Sequence, residues 1–330
     1  EQMKVKQYAE PFKADKQKVR GVVNYIPRML KDYYIDKKCV EKVVELLISE
    51  NIDIVHSNSS VIRIGLHIAQ LLHAKSVIHL REFLDLDFKT KPFWGWKSVQ
   101  KIIAQSDYII AITQAIYNHW NVGNLNKKSS VIWNAVRKAQ LIPPININKK
   151  KYVLFCASIA TENKGVFDAS EIFCKSNLPK LGYTLKIVGR ADDNVKKLIM
   201  QIAEKNRASD QIDFLGYVHE IDTLMNEASA FLMCSKNEAL GRVTIEAMFA
   251  GCPVLGRNSG GTKELIRHGT NGYLYNDIDE GVRYLNYLID QSDMTRLLVN
   301  EGRNFAINNF SEEVYGKKII DIYKSLIKQK

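Results

Sequence analysis

Long hydrophobic runs are missing from this 330-residue sequence: none reaches the roughly 18 consecutive apolar residues that a membrane-spanning helix needs. No leader with a basic start and an apolar middle opens the chain, whose first residue is Glu1. Cysteine is sparse. The five cysteines (Cys39, Cys156, Cys174, Cys234 and Cys252) are odd in number and show no C-x-x-C spacing. That argues against a disulfide framework and for a reduced, cytoplasmic compartment. Cys156 and Cys234 stand in apolar, strand-like runs and read as small buried hydrophobes. Metal-ligand spacing is also missing. His219 and His268 stand alone and read as surface residues, so no metal site is expected.

What is present is an apolar content of 46 %, enough for sizeable cores in a chain long enough for two domains. Charge is unevenly placed. The whole net charge of +11 lies in residues 1–150, while residues 151–330 balance. A basic half suggests an anionic partner, such as acidic lipid, a lipid-linked phosphate or nucleic acid. The plainer reading is solvated lysines on a basic protein. Nucleic acid is set aside, because no aromatic single-strand platform, zinc knuckle or helix-turn-helix spacing occurs.

Short apolar runs alternate with helical patterns. Strands are expected at 52–56, 75–80, 107–112 and 129–133, then at 152–157, 184–188, 212–215, 229–234, 253–256 and 273–275. They are continuous apolar runs, as befits parallel strands covered on both faces. Between the two series lies a polar, basic stretch containing Pro143-Pro144, which reads as a linker. The sequence therefore predicts an α/β protein of two doubly wound, Rossmann-like domains facing a cleft. Their expected bounds are 1–137, a linker over 138–150, 151–311, and a terminal amphipathic helix over 312–330. That helix would pack across the linker, and its lysines also permit a membrane-surface reading. The opening stretch lacks the strand and tight glycine turn that usually start such a domain, and Gly21 stands alone there. The first domain is thus expected to lack one or more opening β/α units.

The segment "CSKNEALGRVTIEAMFAGCPVLGRNSGG", residues 234–261, carries the chemistry. Glu238 falls in a loop after a strand, and Glu246 about one turn inside the helix that follows Gly241. Eight residues of continuous helix span about 12 Å, too far for a retaining hydrolase pair at about 5–5.5 Å. A phosphate clamp fits better. Amides of Ala239, Leu240, Gly241 and Arg242 approach a helix N-terminus, where unpaired N–H groups attract an anion. A carboxylate before that site would accept sugar hydroxyls, and one a turn deeper would accept ribose hydroxyls.

On these residues the chain resembles glycosyltransferase family 4, retaining enzymes with the GT-B fold. The E-x7-E motif is matched by Glu238 and Glu246, within "EALGRVTIEAM", "AGCPVLG", "NSGGTKELI" and "HGTNGYLY". The resemblance implies that Glu238 contacts the donor sugar and Glu246 the ribose. It implies that Lys164-Gly165 binds the diphosphate, with the backbone of Ala239, Leu240 and Gly241 beside it. Alone, Lys164 would pass for a solvated loop lysine, but it follows a core strand. One departure stands out. The family commonly has Gly-Arg-Leu ahead of that lysine, whereas here Ser158 or Ile159 stands in the place of the arginine. Arg190, after Gly189, or Arg242 would have to compensate. The first half is more weakly similar to the acceptor domain. A cleft histidine of the family falls at His79 or Arg81, and His56 and Asn58 end a neighbouring strand.

The implied activity is transfer of a hexose from a UDP- or GDP-sugar to a glycan or polyprenyl-linked acceptor, with no metal and no cofactor. "EALGRVTIEAM" is similar to bacterial surface-polysaccharide enzymes. The "KPFWGWK" stretch (91–97) permits contact with an anionic membrane at its cytoplasmic face, the alternative being that Trp94 and Trp96 form a packed corner. Two rival readings remain open: a UDP-sugar epimerase of related fold, and a non-catalytic sugar-nucleotide-binding module.

Overall fold

The structure is a computed structural model that describes residues 34, 36–60, 64–88, 95–125, 127–290 and 292–328. The chain divides into two compact units, residues 1–132 with 318–330, and residues 133–317. The expected opening defect falls on residues 1–33, which lie outside the described residues. Lys91 to Trp94 of the aromatic stretch lie outside them too.

The first unit begins with a helix over 36–47 (α1). There follow β1 (Ile54–Ser57), α2 (Ile64–Leu71), β2 (Lys75–Leu80), α3 (Asp85–Phe88), α4 (Gly95–Ile103), β3 (Tyr108–Ala111), α5 (Gln114–His119) and β4 (Ser129–Val131). The strands form one parallel sheet in the order β1-β2-β3-β4. Strands β2 and β3 are the buried apolar runs expected from sequence, whereas β4 covers only Ser129–Val131 of the expected 129–133 and is half-buried. Helix α5 starts where Thr113 caps it, its hydroxyl accepting from Ile116 N at 3.2 Å. Leu80, Ile109, Ile110, Ile116 and Trp120 are fully buried. Trp96 packs edge-on against Trp120 at 5.2 Å and His119 at 5.4 Å, so it belongs to a hydrophobic corner.

The second unit runs β5 (Lys150–Ile159), α6 (Val166–Lys175), β6 (Thr184–Arg190), α7 (Asp193–Lys205), β7 (Ile212–Gly216), α8 (Ile221–Glu227), β8 (Ala228–Met233), α9 (Arg242–Phe249), β9 (Val254–Arg257), α10 (Thr262–Leu265), β10 (Tyr273–Tyr275), α11 (Ile278–Asp290) and α12 (Ser292–Phe310). Its parallel sheet has the order β10-β9-β8-β5-β6-β7. Val153, Phe155, Leu185, Ile187, Ala230, Leu232 and Leu255 fill its core. The last helix, α13 (Glu312–Ile327), buries Ile319, Ile322 and Leu326, and its residues from 318 onward group with the first unit. There Tyr323 Oη lies 2.5 Å from His56 Nδ1.

The stretch read as a linker, 138–150, bonds to the second unit. Lys149 Nζ donates to Asn226 O (2.6 Å) and Gly251 O (2.8 Å). Arg303 donates to Pro143 O (2.5 Å), and Asn226 Nδ2 to Pro144 O (2.7 Å). Prolines have no N–H to offer a sheet, but their carbonyls accept. The second unit opens at Trp133, whose ring stacks on Phe310 at 5.1 Å, a few residues before the expected bound at 137.

Candidate functional site

In the second sheet, β5 lies between β8 and β6, so the crossovers leave in opposite directions on its two sides. In open α/β sheets a ligand crevice forms at such a reversal, beyond the carboxyl ends of the strands. The loops that follow β5 and β8 meet there. One carries Thr161 to Gly165 and leads into α6; the other carries Ser235 to Gly241 and leads into α9. Lys236 N donates to Asn163 O at 3.1 Å, which ties the loops together.

Both helices start on a glycine in the left-handed region, Gly165 (φ 76°) and Gly241 (φ 85°), and no side chain caps either one. A Cβ on Gly165 would lie 1.9 Å from Cys234 O. Only glycine lets the two loops touch backbone to backbone. Val166 N reaches Thr161 O at 3.4 Å and Thr244 N reaches Gly241 O at 2.9 Å, and the positive ends of α6 and α9, uncapped by side chains, can attract an anion.

Two of the residues singled out from sequence come together here, and a third stands further along α9. Lys164 Nζ donates to Glu238 Oε2 at 3.0 Å. The Glu238 backbone is held by the double glycine: Gly261 N donates to Glu238 O at 2.6 Å, and a Cβ on Gly260 would lie 2.7 Å from that same oxygen. Leu240 is buried under the loop, while Ala239 is half-buried. Glu246 sits on the second turn of α9, its carboxylate 3.8 Å from Arg242 Nη2. Burial pushes the Glu246 carboxyl above its ordinary value; Arg242 and Arg137 pull it back down, and Asp222 adds a smaller upward push. Arg137 itself donates to Asp222 at 2.5 Å. These groups can accept hydroxyls (Glu238, Glu246), bind an anion (Lys164, the amides) and do so on rigid backbone.

Other expected residues lie beside this group. Gly189 (φ 124°) approaches Ala157 O so closely that a Cβ would lie 1.8 Å away. Arg190 ends β6, exposed, its carbonyl accepting from Ala160 N at 2.8 Å. Ile159 is 54 % exposed at the end of β5, and no arginine stands there. Sequence reasoning missed the ion pair of Arg257, at the end of β9, with Asp168 in the first turn of α6. A charged residue closing an apolar strand was the available signal.

In the first unit, His79 is fully buried within β2, its ring stacked on His56 at 5.5 Å. Burial, then Arg81, then His56 hold its imidazole down to about 3, so it is neutral. His79 is therefore not presented at the surface, whereas Arg81, just beyond the strand, is partly exposed, and Asn58 is exposed. His268 is exposed but structural, its Nδ1 accepting from Leu274 N at 3.1 Å. Asp-x-Asp triplets occur at Asp85-Leu86-Asp87 and Asp277-Ile278-Asp279, and both sit at helix starts. Asp85 pairs with His119 at 3.0 Å, and Asp277 Oδ1 accepts from Glu280 N at 2.8 Å. Among the described residues no group of three or more histidine, cysteine or carboxylate side chains could hold a metal ion. Nor is any of their helices long and apolar enough to cross a membrane.

Comparison with known proteins agrees with this architecture. Residues 138–305 match the family model of glycosyl transferases group 1, and residues 5–140 that of glycosyltransferase family 4. N-acetyl-alpha-D-glucosaminyl L-malate synthase of Bacillus anthracis is 25 % identical over 235 residues, 68 % of this chain and 60 % of that protein, so the match spans less than two thirds of it. An uncharacterized glycosyltransferase of Methanocaldococcus jannaschii is 26 % identical over 318 residues, covering 91 % of this chain and 81 % of its own. Among solved structures, Anabaena HepE in complex with UDP superposes with a TM-score of 0.76 at 20 % identity, covering 87 % and 82 % of the two chains. With both family models matched and two parallel α/β units of GT-B type, the chain belongs to the glycosyl transferases group 1 family.

Proposed function

We propose that the protein is a retaining glycosyltransferase that moves a hexose from a UDP- or GDP-sugar to a hydroxyl of a glycan or lipid-linked acceptor in surface-polysaccharide synthesis. The observation that carries this reading is the arrangement at the switch point, where Lys164 pairs with Glu238 between two glycine-started helices, the second of which carries Glu246. The diphosphate would lie against the amides of α6 and α9 and Lys164. Glu246 would accept the ribose hydroxyls, and Glu238 the hydroxyls of the sugar. Arg190, Arg242 and the glycine at 189 would line the same anion. That the Anabaena protein of similar fold was crystallised with UDP supports a nucleotide donor.

The sugar–phosphate bond breaks through an oxocarbenium-like transition state, and the positive helix ends and Lys164 stabilise the departing diphosphate without a metal. The leaving phosphate takes the acceptor proton on the same face as the new bond forms, which retains the anomeric configuration. The basic excess in residues 1–150 supports an acceptor presented at an anionic, cytoplasmic membrane face, with Arg81 the charged side chain beside it.

The test is a thermal-shift screen of the full chain with UDP, GDP and their sugars. A ligand at about 100 times its Kd adds about 2.7 kcal/mol to native stability. No shift with any nucleotide rejects the reading. Conversion of the donor sugar without acceptor would instead mark an epimerase, and binding with neither hydrolysis nor transfer a binding module.

A further inference from the structure

Lys164 and Glu238 neutralise each other across the crevice at 3.0 Å, with 41 % and 18 % of their side chains exposed. They come from different crossovers, so the pair is tertiary and not a by-product of one helix. The backbone of Glu238 cannot retreat, because Gly260 and Gly261 pack directly on it. Any anion that takes Lys164 is thus brought close to a fixed carboxylate. That carboxylate repels phosphate charge but accepts hydrogen bonds from hydroxyls.

A nucleoside diphosphate and its sugar ester differ in these two properties. The free terminal phosphate ionises a second time near neutral pH, and so carries about one more negative charge. The ester replaces that charge with a ring of hydroxyls. Resting on the donor-site reading above, we propose that Glu238 makes the site discriminate by charge, favouring the nucleotide sugar over the bare nucleoside diphosphate and so hastening loss of the product. Glu238 is then a specificity residue against product as well as a partner for donor.

The experiment is calorimetric titration of the full chain with UDP and UDP-glucose, or GDP and GDP-mannose if those stabilise the wild type. Glu238→Gln, isosteric and uncharged, should bind the bare diphosphate about two- to fivefold tighter, the scale of one partly exposed charge contact. The sugar ester should bind no tighter. The gain should shrink in 0.5 M salt and at about pH 5.5, where the terminal phosphate is losing its second charge. Lys164→Met, which leaves Glu238 unopposed, should weaken the bare diphosphate more than the ester. The proposal is overturned if the wild type binds the diphosphate but Glu238→Gln binds it equally or more weakly, or if Lys164→Met weakens both ligands alike. Absence of nucleotide binding by the wild type would reject the donor-site reading itself, and this proposal with it.

Discussion

Gly165 and Cys234 touch through their backbones: a side-chain carbon on the glycine would lie 1.9 Å from the Cys234 carbonyl oxygen. The contact joins the end of β8 to the start of α6, at the reversal of the sheet. Gly165→Ala would therefore force the loops apart and strain a residue at φ 76°. The dihedral alone costs about 1–3 kcal/mol. The expected result is a fall in melting temperature of about 5 °C or more, with loss of nucleotide binding. Gly182→Ala is the control, since it too has positive φ (77°) but open space where its Cβ would go. Equal damage from both would show that dihedral strain, not the close approach, is what matters.

Glu246 gives opposite predictions for stability and binding. Its carboxyl is held above its ordinary value of 4.5 by burial, so ionising it costs more in the folded chain than in the unfolded one. Its stabilising contribution appears only as pH falls through the raised value. Glu246→Gln should consequently raise the melting temperature at neutral pH. Ribose hydroxyls, however, bond better to the ionised form. Nucleotide affinity of the wild type should fall as pH drops towards that raised value, and Glu246→Gln should be about tenfold or more weaker at neutral pH and flat with pH. Calorimetry across pH 5–8 together with melting curves checks both signs.

His79 sets an acid limit on the first unit. Its pKa is held down to about 3 in the fold, against 6.5 when unfolded. The unfolded chain binds the proton first, so the stabilising effect of a neutral His79 is complete above about 6.5 and is lost as pH falls from there towards 3. The slope contributed by one such group is at most about 1.4 kcal/mol per pH unit. The groups facing it are His56, itself lowered by burial and Arg81, and Arg81. Melting temperature should decline across that window, and His79→Leu should flatten the decline whatever it does to the overall stability. A decline of the same steepness in that variant would assign the acid sensitivity to other groups.

The strands were legible because parallel sheets covered on both faces write themselves as unbroken apolar runs. The runs at 75–80 and 273–275 became β2 and β10 with the same ends. The loop residues Lys164 and Glu238 were legible as chemistry, through their place after core strands. Their contact was not, since it depends on a strand order that puts β5 beside β8. The supporting role of Gly260 and Gly261 was hidden for the same reason: it is a close approach between backbones 22 or more residues apart in sequence. The burial of His79 was hidden because a histidine at the end of a strand and one inside it look alike in a string. The bonding of 138–150 was hidden because proline and lysine read as solvated, while here Pro143, Pro144 and Lys149 all bond to the second unit.

That fastening bears on the site through α9. The helix begins at Gly241, carries Glu246 in its middle, and ends at Phe249. Its last carbonyls need partners. Arg303 donates to Phe249 O at 2.5 Å, and Lys149 donates to Gly251 O at 2.8 Å. Both cations also complement the negative end of the helix dipole. Lys149 is buried enough that its ammonium is held below its usual value, so its bonds lie away from competing water. Lys149→Met keeps the apolar stem but strips donors from Asn226 O and Gly251 O, at a cost of about 1–3 kcal/mol. The end of α9 should then exchange its amide hydrogens faster, and nucleotide affinity should drop with it, because Glu246 rides on the same short helix. If hydrogen exchange quickens at the C-terminal turn of α9 while nucleotide affinity stays at the wild-type value, Glu246 is held by its own surroundings rather than by the anchoring of its helix.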